Sequence, residues 1–360
     1  MKPTNTKTTP KGVIFALGAA ALFGVSTPFA KLLLGDVPPV LLAGLLYLGS
    51  GFGLTLWGVA NWLRSRRRGG PAREAGLKRK DLPWLAGAVF FGGVVGPVLL
   101  MLGLATTTAS NASLLLNLEG VFTALLAWFA FKENFDRRIA LGMAAITVGG
   151  AVLSWAGLPE LGVPWGALAV AGACLCWGVD NNLTRKVSAA DPLQIAAIKG
   201  LVAGPVNLVV GLAVGGSLPG VLPLLGAGVV GFLGYGVSLT LFVLGLRHLG
   251  TARTGAYFSL APFVGAAVSL LVFREVPGLG FLAAAALMGI GVWLHLTEKH
   301  EHEHTHVEMK HDHLHVHDAH HQHDHLPTDP PGEPHTHPHR HEALQHTHAH
   351  YPDIHHRHQH

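Results

Sequence analysis

Three ionisable residues stand inside long apolar runs: Glu119, Asp180 and Lys199. Charge in hydrocarbon is expensive, and a chain that keeps it there usually binds or moves something with it. Glu119 lies about eight residues into its run, roughly 12 Å deep at the helical rise of about 1.5 Å per residue. A carboxylate there suits a proton carrier, a cation ligand or a partner for a substrate ammonium; a structural pair is the plainer reading. Asn117 is close in sequence but about 200° away around a helix, so it and Glu119 do not share a face. Asp180-Asn181-Asn182 puts three polar residues into one helical turn, so at least one must face protein or water. Lys199 either pairs with Asp180 or Glu119, cancelling a buried charge, or reaches out to the membrane surface. Asn207 and Tyr257 are weaker candidates, because hydrogen bonds between helices explain them equally well.

Residues 300–360 offer a second chemistry. They hold 23 of the 25 histidines. Runs of alternating or adjacent histidine recur: His300, His302, His304 and His306; His311, His313, His315 and His317; His320, His321, His323 and His325; His335, His337, His339 and His341. With interleaved Asp and Glu they present nitrogen and oxygen ligands for Zn, Ni, Co or Cu, without selecting one. The tract has no apolar period and many prolines, so it is expected to be disordered when metal-free. Its length and interleaving separate it from a purification tag. A pH response is the alternative, since histidine titrates near about pH 6.5. Cys174 and Cys176 could also be a soft-metal pair, but small residues in a tightly packed helix are the simpler reading. A disulfide between them is geometrically poor.

Composition decides what kind of element must position these groups. Charged residues are 13% of the 360, against about 25% in ordinary globular chains. The tail masks how apolar the rest is: residues 1–299 are roughly 55% hydrophobic. That excludes a soluble enzyme, a nucleic-acid-binding domain and a secreted disulfide scaffold. No nucleophile–base spacing or phosphate loop is visible, so no enzyme is expected and no cofactor is required. Residues 1–299 carry 22 Lys+Arg against 11 Asp+Glu, and the tail 3 against 10. Membrane topology accounts for the basic excess without nucleic acid.

A bilayer-spanning helix needs about 20 mostly apolar residues. Ten such segments run near 12–34, 39–63, 82–105, 111–131, 136–156, 164–185, 193–215, 221–246, 252–273 and 277–297. Breaks such as Gly35-Asp36-Val37-Pro38-Pro39 and Asp191-Pro192 carry turn chemistry. Lys and Arg gather at the N-terminus (Lys2, Lys7, Lys11) and in the even connections, most densely from Arg64 to Lys80. The positive-inside rule then puts both termini in the cytoplasm; the localisation expected is a bacterial-type inner membrane, as the resemblance described below implies. The first run resembles a signal peptide, but it is long and its pattern recurs, so it belongs to the fold.

The chain also repeats itself. Residues 11–38 align with 165–192 without gaps at an offset of 154, matching Gly12/Gly166, Gly18/Gly172, Gly24/Gly178 and Pro38/Pro192, with Phe23/Trp177 as a similar pair. Farther on the offset is 142, matching Gly92/Gly234, Gly103/Gly245, Phe131/Phe273, Glu133/Glu275 and Gly149/Gly291. Five helices per half is an odd number, so the second half enters the membrane from the opposite side, as in many secondary transporters. The expected fold is an all-α membrane protein with ten transmembrane helices in two inverted five-helix repeats. Its parts are a cytoplasmic N-terminus (1–11), repeats at 12–156 and 164–297, and the tail at 300–360.

Over residues 12–297 the sequence resembles the EamA branch of the drug/metabolite transporter (DMT) superfamily. The resemblance is carried by Leu22-Phe23-Gly24 with Cys176-Trp177-Gly178, by the helix-end Glu133 and Glu275, and by Gly142, Gly149-Gly150 and Gly291. It implies small-solute transport, often export, across the inner membrane. One departure stands out: the family's usual proline in the fourth helix is matched by Pro262 in the ninth, whereas the fourth has Glu119-Gly120. Glu119, Asp180 and Lys199 have no charged repeat partner, so substrate chemistry is expected at these asymmetric positions. The reading is a proton-coupled exporter of a small metabolite with a metal-binding regulatory tail. Divalent-metal efflux (Zn, Ni, Co) and a membrane-anchored metal buffer or sensor remain as alternatives.

Overall fold

The computed structural model describes residues 10–67, 76–131, 137–155, 164–187, 190–249 and 251–297, with tail segments 301–305, 309–315, 335–341 and 345–349. Lys2, Lys7, the arginines in 68–75, the Lys132-Glu133 helix end and His300, His306, His317, His320, His321, His323 and His325 lie outside the described residues.

The apolar runs fold as helices, because a chain in lipid must satisfy its backbone polar groups within itself. In order these are α1 (Pro10–Leu33), α2 (Pro39–Arg67), α3 (Leu82–Ala88), α4 (Gly96–Thr106), α5 (Ala109–Leu115), α6 (Leu118–Phe131) and α7 (Arg137–Trp155). The second half has α8 (Trp165–Arg185), α9 (Pro192–Ala213), α10 (Val221–Val230), α11 (Ser238–Leu249), α12 (Thr251–Phe258), α13 (Ala261–Phe273) and α14 (Leu279–Leu296). Seven helical stretches are long and apolar enough to cross a membrane. The other three expected runs are helical too: α8 with its polar triplet, and the shorter apolar α13 and α14.

The expected unbroken helices are interrupted at four places. The fourth run breaks at Leu116-Asn117 between α5 and α6, and the ninth at Ser259-Leu260 between α12 and α13. Asn117 bonds its side-chain amide to the Leu114 carbonyl, a local competitor for the helical ladder. Pro262 sits at the start of α13, where a missing N–H costs nothing. The third and eighth runs each contain a π-helical segment, Val89–Val95 between α3 and α4 and Gly231–Val237 between α10 and α11. The irregularities obey the repeat. The two π segments, α4/α11, α5/α12 and α7/α14 all begin 142 residues apart.

Packing follows the same rule. α2 packs on α9 and α7 on α14, each helix against its own repeat counterpart. α1 packs on α11 and α13, while its counterpart α8 packs on α4 and α6. Small residues allow these approaches, as is usual between membrane helices. A methyl group on Gly24 would meet the backbone of Ala261 and Gly265 in α13; one on its counterpart Gly178 would meet Phe122 and Thr123 in α6. Leu41, Leu46, Leu100, Met101 and Leu104 are fully buried between the helices. Phe129, Leu222, Leu271 and Leu279 are exposed, forming an apolar outer surface suited to lipid.

Among the described residues strands occur only in the tail. β1 (Glu301–Thr305) pairs antiparallel with β4 (Gln345–Ala349), and β2 (Met309–His315) with β3 (His335–His341).

Candidate functional site

α8 and α9 bring Asp180 and Lys199 together. The Lys199 ammonium donates to Asp180 Oδ1 at 2.7 Å and Oδ2 at 2.6 Å. The Thr184 hydroxyl, one turn along, donates to Oδ1 at 2.8 Å. The two charged side chains are 5% and 8% exposed. Lys199 therefore does not reach for the membrane surface; it is spent on the carboxylate. Gly92 in the first π segment makes the room, since a methyl group there would overlap the Asp180 carboxylate.

Glu119 stands in the first turn of α6, just past the helix break. The unpaired N–H groups of a helix start favour a carboxylate there. The Asn181 amide donates to Glu119 Oε1 at 2.8 Å and to the Thr123 hydroxyl at 3.2 Å. No hydrogen bond from the described residues reaches the other carboxylate oxygen. Asn182, next in the triplet, donates to the carbonyls of Gly178 and Thr123 and serves to dock α8 on α6.

Glu119, Asp180, Asn181 and Lys199 all line one cavity of about 90 Å³. It lies between the repeats, with Phe23 and Tyr47 also drawn from the first and Trp177 and Tyr235 from the second. Asn117 is not at the cavity: it is buried, with its amide on Leu114 and the Met288 sulfur. Tyr257 is half-buried and does not line it either, although its neighbour Phe258 does. Asn207 donates to the Gly93 carbonyl at 3.0 Å. Cys174 is buried with its sulfur near the Leu115 carbonyl, and both cysteines are free. Among the described residues no group of three His, Cys, Asp or Glu is placed to hold a metal.

Sequence reasoning missed the aromatic wall. The Phe23 ring centroid lies 5.9 Å from Trp177, 6.0 Å from Tyr235 and 5.5 Å from Phe258. Tyr47 lies 5.5 Å from Tyr235, and Phe242 4.8 Å from Phe258. The Tyr47 hydroxyl (2.6 Å) and the Trp177 indole N–H (3.0 Å) both donate to the Gly92 carbonyl. π turns often lie at functional sites, and here one serves two ring donors with a single carbonyl. Two signals were available: the Phe23/Trp177 repeat pair, and tyrosines in mid-run instead of at the membrane interface where they are enriched.

At the far end of α1 the Lys31 ammonium donates to the carbonyls of Leu104 at 2.6 Å and Thr107 at 3.0 Å, covering the open C-terminus of α4. Nearby the Ser110 hydroxyl donates to the Glu275 carboxylate, tying the first repeat to the second.

Comparison with known proteins agrees with this architecture. A model described as the EamA-like transporter family matches twice, at residues 10–155 and 164–297. An uncharacterized transporter of Methanothermobacter thermautotrophicus is 30% identical over 275 residues, covering 73% of this chain and 80% of that protein. The uncharacterized transporter YyaM of Bacillus subtilis is 26% identical over 212 residues, covering 55% and 69%. A solved crystal structure shares the fold with a TM-score of 0.58 at 18% identity, covering 79% of this chain and 98% of its own. The two family matches coincide with the two halves that meet at the cavity, and the chain belongs to the EamA-like transporter family, a multi-pass membrane transporter.

Proposed function

We propose that this chain is a proton-coupled secondary transporter that exports a small metabolite across the inner membrane, with ten spans in two inverted halves and both termini in the cytoplasm. The placement of Glu119 carries the reading: a carboxylate with one uncommitted oxygen, beside a helix break, in a cavity between the repeats. Such a carboxylate holds a proton or a substrate cation in turn, and that exclusion couples two flows. Two family matches and repeat-swapped packing support an inverted pair of bundles, the arrangement that exposes a mid-membrane site alternately to each side.

The tail is a transition-metal-binding regulatory segment in this reading. Its register supports that: His311 lies opposite His339, His313 opposite His337 and His315 opposite His335. Imidazole suits Zn, Ni, Co or Cu. The same tail favours a second reading, efflux of the metal itself. The Lys199 ammonium in the cavity lining opposes a divalent cation there.

The test is gradient collapse in proteoliposomes loaded with a pH dye and challenged with pools of cationic, zwitterionic and anionic metabolites. At least one pool should collapse the gradient with the native chain and none with Glu119→Gln at equal expression. Indistinguishable traces from the two proteins would sink the role of Glu119. Zn, Ni and Co form a separate arm, where gradient-driven metal movement would select the second reading.

A further inference from the structure

We infer that the cavity selects a monovalent organic cation, an amine or quaternary ammonium whose charged end meets Glu119 and whose apolar body lies among the aromatic rings. The inference rests on the reading of Glu119 as the coupling carboxylate and names the class of substrate it takes.

Lys199 gives two of its three N–H groups to the oxygens of Asp180. The Tyr47 hydroxyl and Trp177 N–H are spent on Gly92. The Ser238 hydroxyl donates to the Ala19 carbonyl at 2.8 Å, and the Asn181 amide to Glu119 and Thr123. An incoming carboxylate or phosphate would find these donors engaged and the Glu119 carboxylate beside them, and would recover little of its lost hydration. The open position is an acceptor, the second oxygen of Glu119. The ligand must therefore bring the donor or the positive charge.

Net charge sets the valence. Asp180 and Lys199 cancel each other, leaving one negative charge at Glu119. One positive charge balances it; a second would be unbalanced and would face Lys199. A zwitterion could satisfy Glu119 with its ammonium, but its carboxylate would bring a negative charge next to Glu119 and Asp180.

The rings describe the rest of the ligand. Phe23 stands steeply to Trp177 (76°) and Tyr235 (66°), so edges and faces alternate around it. Aromatic faces carry negative potential and attract a cation within about 6 Å, most strongly when water is excluded. Because the Tyr47 and Trp177 donors are committed to Gly92, these rings offer the ligand π surface and apolar contact. Carboxylate and rings together fit a cation with an apolar or aromatic body better than a bare inorganic ion, which would gain nothing from the rings beyond charge.

The experiment uses three probes with one phenethyl body: N,N,N-trimethylphenethylammonium (a permanent cation that does not leak through lipid), phenylalanine (zwitterion) and 3-phenylpropionate (anion). Binding to the full-length purified protein is read by tryptophan fluorescence at constant pH. Uptake into proteoliposomes, with and without a pH gradient, is read by mass spectrometry. The cation should bind at least tenfold more tightly than either other probe and accumulate with the gradient. Glu119→Gln should weaken its binding at least tenfold, while Glu119→Asp, which keeps the charge, should retain most of it. Equal or better binding of the zwitterion or anion overturns the substrate class and leaves the transporter reading standing. Binding of the cation through Glu119 with gradient-independent movement supports the class and defeats the proton coupling. A cation neither bound nor transported overturns the inference, and so does unchanged cation binding by a folded Glu119→Gln protein.

Discussion

Removing the Lys199 ammonium alone should cost far more than removing the whole ion pair. Its ammonium lies 2.6–2.7 Å from both Asp180 oxygens, and the side chains are 5% and 8% exposed. Lys199→Met leaves a carboxylate buried with only the Thr184 hydroxyl as partner. Breaking a buried pair in this way costs about 3–5 kcal/mol, whereas replacing both partners by uncharged residues is often close to neutral. Asp180→Asn alone strands the ammonium and belongs to the same costly class. The double variant Lys199→Met/Asp180→Asn buries no charge and leaves the Asn oxygen to accept from Thr184. It should recover at least about 2 kcal/mol relative to the sum of the singles, a coupling typical of residues in one network. Because heating membrane proteins is commonly irreversible, the four proteins are ranked by inactivation rate at one temperature. The expected order is native and double variant slow, both singles fast. Additivity within about 0.5 kcal/mol, the behaviour of independent sites, would refute the pairing.

Two further outcomes follow from geometry. Gly92→Ala should destabilise the protein by about 1–3 kcal/mol or more, as overpacking does, because its methyl group would overlap the Asp180 carboxylate. Gly289→Ala has nothing within 4 Å of the added carbon and should be neutral or gain up to about 1 kcal/mol of helix propensity; paired inactivation rates check both. A chain stopped at Lys299 should lose most Zn and Ni binding by calorimetry yet inactivate at the native rate; equal metal binding would place the metal sites in the helical body.

The helices and the repeat were legible because length, apolar content and turn residues mark them directly. The charged cluster was legible for an energetic reason: Glu119, Asp180, Asn181 and Lys199 stand where hydrocarbon penalises them, and all four line the cavity. Partner choice was not, since Lys199 had two carboxylates within plausible reach and only tertiary placement selected Asp180. The breaks and π segments were hidden because each shifts a few backbone hydrogen bonds without changing composition. Tyr257, the weaker candidate, does not line the cavity, whereas its neighbour Phe258 does. One residue is about 100° on a helix, and nothing in an apolar run says which of two adjacent rings faces inward. The aromatic wall was missed for the same reason, since rings facing lipid and rings facing a cavity look alike in sequence.

The scaffold is duplicated and the chemistry is not. Gly24 and Gly178 make equivalent close approaches, and the π segments begin 142 residues apart. Yet the counterparts of Glu119, Asp180 and Lys199 are Ala261, Ser26 and Leu45. Ser26 turns its hydroxyl to its own helix, on the Phe23 carbonyl, and Ala261 is fully buried. In the proposed alternating-access reading, repeat-swapped packing would let either half take the other's geometry at little energetic difference. An asymmetric charged wall means that a ligand meets the same groups in either geometry. Those groups are linked internally: Asn181 holds Glu119, its chain neighbour Asp180 holds Lys199, and Gly178 seats α8 on α6. In the proposed reading a proton or cation arriving at Glu119 would act first on the α6–α8 contact, through the hydrogen bond to Asn181. That contact has its repeat-swapped equivalent in α13–α1, where no charge intervenes. A ligand at Glu119 thus bears on one of two otherwise equivalent joints, and a bias between the two geometries needs that inequality.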